Sequence, residues 1–113
     1  MLYIVYAILL ILLKKEMNQI VNVAIQVLPQ KAGEISYSIV DKAIEIIKKS
    51  GFKYQVCPFE TVVEGEFKAI MKLIETIHEV CYNEGTISML TYIKIESSSV
   101  KEVDIEDKIG KYK

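Results

Sequence analysis

The stretch Tyr54-Gln55-Val56-Cys57-Pro58-Phe59-Glu60-Thr61-Val62-Val63-Glu64-Gly65-Glu66 decides the fold. It reads as two short strands broken by a proline, and it lies between two segments with helical spacing. Pro58 removes a backbone donor and biases Cys57 towards an extended conformation, so the chain must turn there. Gly65 is expected to supply backbone angles that other residues avoid, just before a helix begins. The segment is the hinge of a βαββαβ unit.

On the N-terminal side, Ile20 to Leu28 alternates, with Val21, Val23, Ile25 and Val27 on one face and Asn22, Ala24 and Gln26 on the other. Pro29 is expected to end this strand, and Gln30 to Glu34, with Gly33, to form a loop. A helix capped near Ser36 follows, with Ile39, Val40, Ala43, Ile44 and Ile47 on its apolar face and Ser50-Gly51 as its stop. Phe52 to Cys57 gives the second strand and Thr61 to Glu64 the third. Beyond the hinge, Phe67, Ile70, Met71, Ile74, Ile77, His78 and Cys81 form one stripe of a second helix, which Asn83-Glu84-Gly85 closes. Thr86 to Glu96 alternates as a last strand, and Val103 to Ile109 predicts a short helix in the charged tail.

Strand, helix, two strands, helix and strand make an α+β, ferredoxin-like βαββαβ sandwich, a four-stranded antiparallel sheet with two helices on one face. The other face is expected to stay open. Its Ala24, Leu90 and Tyr92, mixed with Asn22, Gln26 and Ser88, suit contact with a second copy of the chain.

The 113 residues make one domain of this type. All 14 basic residues are lysine and 15 are acidic, so the net charge is −1 and no basic field attracts nucleic acid or a membrane surface. Arginine, the planar fork for phosphate, is absent, which argues against phosphate chemistry. Cys57 and Cys81 fit neither a redox pair nor a zinc knuckle, so free thiols in a cytoplasmic protein and no metal site are expected.

Leu2 to Leu13 is an unbroken apolar run followed by Lys14, Lys15 and Glu16. As a helix it reaches roughly 18 Å against a hydrocarbon core of roughly 30 Å, too short to span. Lysines follow the run rather than precede it, unlike a secretory signal. Met17 directly precedes the first strand, so residues 1–16 read as a start codon called too early or a dispensable extension rather than a membrane anchor, and residues 17–113 as the domain.

A fold of this kind hosts unrelated functions, and residues must choose among them. An RNA-binding sheet wants aromatics where this first strand has Asn22, Ala24 and Gln26. His78, the single histidine, is the residue type most used for acid–base chemistry, but its place in an apolar stripe favours a structural role over a catalytic one. Tyr37 and Tyr54 lie near loop ends and are the tyrosines best placed to border a pocket.

The run Pro58-Phe59-Glu60-Thr61-Val62-Val63-Glu64-Gly65-Glu66, with a first strand ending in Leu28-Pro29, resembles the small YkoF-like thiamine-binding proteins, the UPF0045/DUF77 family. The resemblance covers Met17 to about Lys108. It implies a ferredoxin-like subunit, a homotetramer built as a pair of dimers, and binding of thiamine or its hydroxymethylpyrimidine moiety without turnover. Thiamine joins a cationic thiazolium to a flat aminopyrimidine, so its site needs a carboxylate, an aromatic face and groups that read a ring edge. Glu64, Tyr37, Thr61 and Gln26 are the candidates, with Glu60 as a second carboxylate and Ser36 at the start of the first helix. Cys57 and Glu60 depart from the small residues common around this proline, and either reshapes the pocket. A small enzyme on the same fold using His78 as base, or a purely structural or regulatory oligomer, is the alternative.

Overall fold

The computed structural model describes the backbone of residues 1–16 and 19–113. Met17, at which the domain is expected to begin, lies outside the described residues. An N-terminal helix, α1 (Leu2–Glu16), carries side chains that are exposed from Met1 to Ile11. No helix among the described residues is long and apolar enough to cross a membrane.

The sheet is formed by β1 (Ile20–Lys31), β3 (Lys53–Val56), β4 (Thr61–Glu66) and β5 (Ser88–Glu96), in the order β5-β1-β4-β3 with every neighbour antiparallel. A two-residue strand, β2 (Glu34–Ile35), pairs with the far end of β1. Helices α2 (Tyr37–Lys49) and α3 (Phe67–Asn83) cover one face. This is the ferredoxin-like sandwich that the residue pattern implies. Val21, Val23, Ile25 and Val27 are all buried against Ile39, Ala43 and Ile47 of α2 and Ile70, Ile74, Ile77 and Cys81 of α3. Gly51, with φ +85°, follows the end of α2, and Gly85, with φ +101°, follows that of α3, a conformation that glycine adopts without a steric penalty.

Three local expectations are corrected. Pro29 does not end the first strand. Its carbonyl accepts the Ser36 amide on the β2 side, so its missing N–H also faces that side and β5 loses no bond. Gln30 to Glu34 is not an open loop but a two-residue hairpin, because Ala32 and Gly33 both take positive φ (54° and 81°), as a type I′ turn requires. Gly65 has no positive φ. It is glycine because the Phe52 ring lies over it, so that an added Cβ would sit 2.5 Å from Phe52 Cδ1.

The second sheet face is not fully open either. The C-terminal segment lies across it, with Val103 and Ile105 buried and a short helix, α4 (Ile105–Ile109), continued by a turn of 3₁₀ helix (Gly110–Tyr112). Asn22, buried near the start of β1, explains the cover: its Nδ2 donates to the Val103 carbonyl at 3.0 Å, and the Val103 amide donates to the Ile20 carbonyl at 3.1 Å. Leu90 and Tyr92 remain exposed, as does the outer edge of β5 with Ile93 and Ile95.

Candidate functional site

A cleft of about 350 Å³ opens at one end of the inner face, where β4 stops and β1 continues. Its floor is β1 from Ile25 to Leu28, one wall is the start of α2, and the other is the β3–β4 turn from Cys57 to Glu60. The turn owes its shape to Pro58 and to the Cys57 amide, which donates to the Glu60 carbonyl at 2.9 Å. Val40, Ala43, Ile44 and Ile77 make the interior apolar. Two exposed aromatic rings, Tyr37 (75% exposed) and Phe59 (82% exposed), stand at opposite walls. A slot of this size with apolar walls and aromatic lips suits a flat ring.

Polar groups are few. Thr61 is buried opposite Ile25 and lines the cleft. Glu60 lines the cleft and pairs with Lys94 Nζ at 3.0 Å. Gln26 borders the cleft, although its step in the alternation belongs to the outer face, where Tyr92 is its neighbour across the strands. The structure thus brings Gln26, Tyr37, Glu60 and Thr61 together. Ser36 sits one residue from Tyr37, at the cap of α2, with its hydroxyl 3.1 Å from that of Ser38. Glu64 is elsewhere: it faces outward opposite Asn22 and Lys53, and its Oε1 accepts the Ile105 amide at 2.7 Å. The physical reason is parity, since Thr61 and Val63 take the inner face and leave Glu64 on the outer one.

Phe59 is a cleft residue that sequence reasoning did not pick. Its signal was its place directly after Pro58 in a turn, where an aromatic side chain has no core to enter. His78 is held on both sides: Nδ1–H donates to the Ile74 carbonyl at 2.9 Å and Nε2 lies 2.9 Å from Thr91 Oγ1. The two cysteines differ. Burial, followed by the nearby charge of Glu84, pushes the Cys81 thiol up from its ordinary range, whereas Cys57 is partly exposed and borders the cleft.

Residues 23–113 match the family described as thiamine-binding protein. The chain belongs to that family. Among its relatives, a UPF0045 protein of Clostridium perfringens is 34% identical over 92 residues, covering 81% of this chain and 96% of the relative. The fold superposes on a DUF77 domain of Bacillus cereus with a TM-score of 0.79 and 35% identity, covering 87% of this chain and 94% of that one. It also superposes on a Thermotoga maritima protein with a suggested role in thiamine biosynthesis or salvage, with a TM-score of 0.74 and 32% identity over 83% of this chain and 99% of that one. The cleft-bearing elements, from β1 through β4, lie largely inside the matched span.

Proposed function

We propose that this member of the thiamine-binding protein family binds thiamine, or a related hydroxymethylpyrimidine compound, without turnover in the cleft between β1, α2 and the β3–β4 turn. The observation that carries the reading is the family match over residues 23–113, a span that contains every residue lining the cleft. In this reading the pyrimidine enters the apolar slot, Tyr37 and Phe59 close over its faces, and the Thr61 hydroxyl supplies a hydrogen bond. Gln26 and Ser36 are available at the rim. The carboxylate that balances the thiazolium is Glu60 rather than Glu64, because Glu60 lines the cleft and Glu64 does not. The ligand cation takes the place of Lys94 as its partner.

Absence of turnover is supported by the engagement of both ring nitrogens of His78, which does not line the cleft. The same reading has the protein act in the cytoplasm as a homotetramer, a dimer of dimers, with no metal or resident cofactor and with thiamine as its ligand. The exposed edge of β5 and the uncovered Leu90 and Tyr92 are the surfaces that favour assembly. Calorimetric titration with thiamine, thiamine diphosphate and hydroxymethylpyrimidine tests the ligand. Thiamine is expected to bind more tightly than its diphosphate, since the chain has no arginine for the phosphates. Failure of all three to bind refutes the reading, and light scattering that shows a monomer at micromolar concentration refutes the assembly.

A further inference from the structure

One residue of β1 has no strand partner on one side. In an antiparallel strand the N–H and C=O of a residue point the same way and successive residues alternate. Gln30 faces β5, because its carbonyl accepts the Ile87 amide at 2.9 Å, and Pro29 faces β2, because its carbonyl accepts the Ser36 amide at 2.9 Å. Odd-numbered residues of β1 therefore face the β2 and β4 side. On that side β4 covers β1 up to Ile25, paired with Thr61, and β2 resumes at Gln30 and Lys31. Continuing the two registers would set Phe59 or Ser38 opposite Val27. Phe59 is in the turn and Ser38 is in α2, so neither pairs with it.

Val27 therefore directs one N–H and one C=O, side by side, into the cleft, of which it is a floor residue. Its side chain is buried on the inner face. Backbone donors and acceptors inside a protein find partners, and here the missing partner is the size of a cleft rather than of a strand. The neighbouring odd residue, Pro29, has no N–H, so the Val27 pair is isolated along this edge.

We propose that the main-chain N–H and C=O of Val27 read the ligand ring, and that the ligand class is a planar heteroaromatic with a ring-nitrogen acceptor next to an exocyclic amino donor. The N–H donates to the ring nitrogen and the C=O accepts from the amino group, as a neighbouring strand would have done. This rests on the proposed function and deepens it, because it assigns the discriminating contact to the backbone rather than to any of the side chains at the rim. A ring with an oxo group in place of the amino group presents its donor and acceptor in reversed order. Matching Val27 then requires a ring flip, which carries the attached cation away from Glu60.

The experiment is titration of the full chain with thiamine, with pyrithiamine, which keeps the aminopyrimidine and changes the cationic ring, and with oxythiamine, which replaces the amino group by oxo. Backbone amide exchange is followed in parallel. Pyrithiamine is expected to bind within a few-fold of thiamine and oxythiamine at least about tenfold more weakly, the loss of one well-formed hydrogen bond and the mismatch of another. The Val27 amide is expected to exchange much faster than that of Ile25 in the free protein and to become protected on addition of thiamine. Equal binding of thiamine and oxythiamine, or a Val27 amide already protected in the free protein, overturns the assignment while leaving thiamine binding intact. Failure of thiamine itself to bind is a different result and overturns the proposed function together with this inference.

Discussion

Glu64→Ala separates two roles for the carboxylate that precedes Gly65. On the outer sheet face Glu64 accepts the Ile105 amide at 2.7 Å, at the first residue of α4, and so helps to hold the segment that buries Val103 and Ile105. A hydrogen bond to a charged group contributes about 1.5–3 kcal/mol, and partial exposure puts this one near the lower end, about 1–2 kcal/mol. For a domain of this size each kcal/mol moves the melting temperature by roughly 4–8 °C, so a fall of roughly 5–15 °C is expected. Glu64→Gln keeps an acceptor oxygen and should lose about half as much. Thermal unfolding followed by circular dichroism measures the effect, and titration of each folded variant with thiamine supplies the comparison. Thiamine affinity should change less than twofold in both variants, whereas Glu60→Gln, at a residue that lines the cleft and pairs with Lys94, should weaken thiamine by about tenfold or more with little change in stability. The reasoning is refuted if Glu64→Gln leaves the melting temperature where it was and lowers thiamine affinity tenfold.

Other changes follow from the packing. Gly65→Ala forces a methyl group against the Phe52 ring and should destabilise by about 1–3 kcal/mol, whereas the same change in a Phe52→Ala background should be near neutral; equal costs in urea unfolding of both backgrounds would remove the explanation. Cys57 should react with a thiol reagent in the folded protein well before Cys81, because Cys81 is buried and its thiol is held protonated. Thiamine should slow the Cys57 reaction, and an unchanged rate at saturating ligand would count against the cleft as the binding site. Deleting residues 1–16 should leave the cooperative unfolding of the rest intact, since the side chains from Met1 to Ile11 are exposed, and loss of cooperative unfolding would show that α1 belongs to the fold.

The fold was legible wherever one periodicity ran long enough. β1 alternates over Val21 to Val27 and α3 repeats over Ile70 to Cys81, and in each case the period alone identifies the buried face. Features that depend on which flank a strand uses were not legible. Pro29 was expected to end β1, and it does not, because a missing donor matters only on the side where a partner waits. Asn22 looked like an ordinary outer-face polar residue, yet it anchors the C-terminal segment 81 residues away. The same parity that made β4 recognisable sends Glu64 outward, so the motif that carried the resemblance holds residues from both faces of the sheet.

The cleft itself follows from unequal strand lengths. β1 has twelve residues and β4 only six, so the partner of β1 runs out halfway along and the rest of that edge has to be closed by other means. Glu34 and Ile35 close two positions from the opposite end, and Pro29 removes a third donor that would otherwise need a partner. Val27 is left between them. Lengthening β4 by two residues, so that Phe59 paired with Val27, would require Phe59 to leave its exposed position and lie over β1, which would fill the slot and remove the aromatic lip in the same movement. Pro58 lies in the turn that ends the β3–β4 pairing at Val56 and Thr61, and so limits how far β4 can follow β1, while Pro29 leaves no donor to satisfy on the same edge; the backbone of Val27 between them is what a ligand can use.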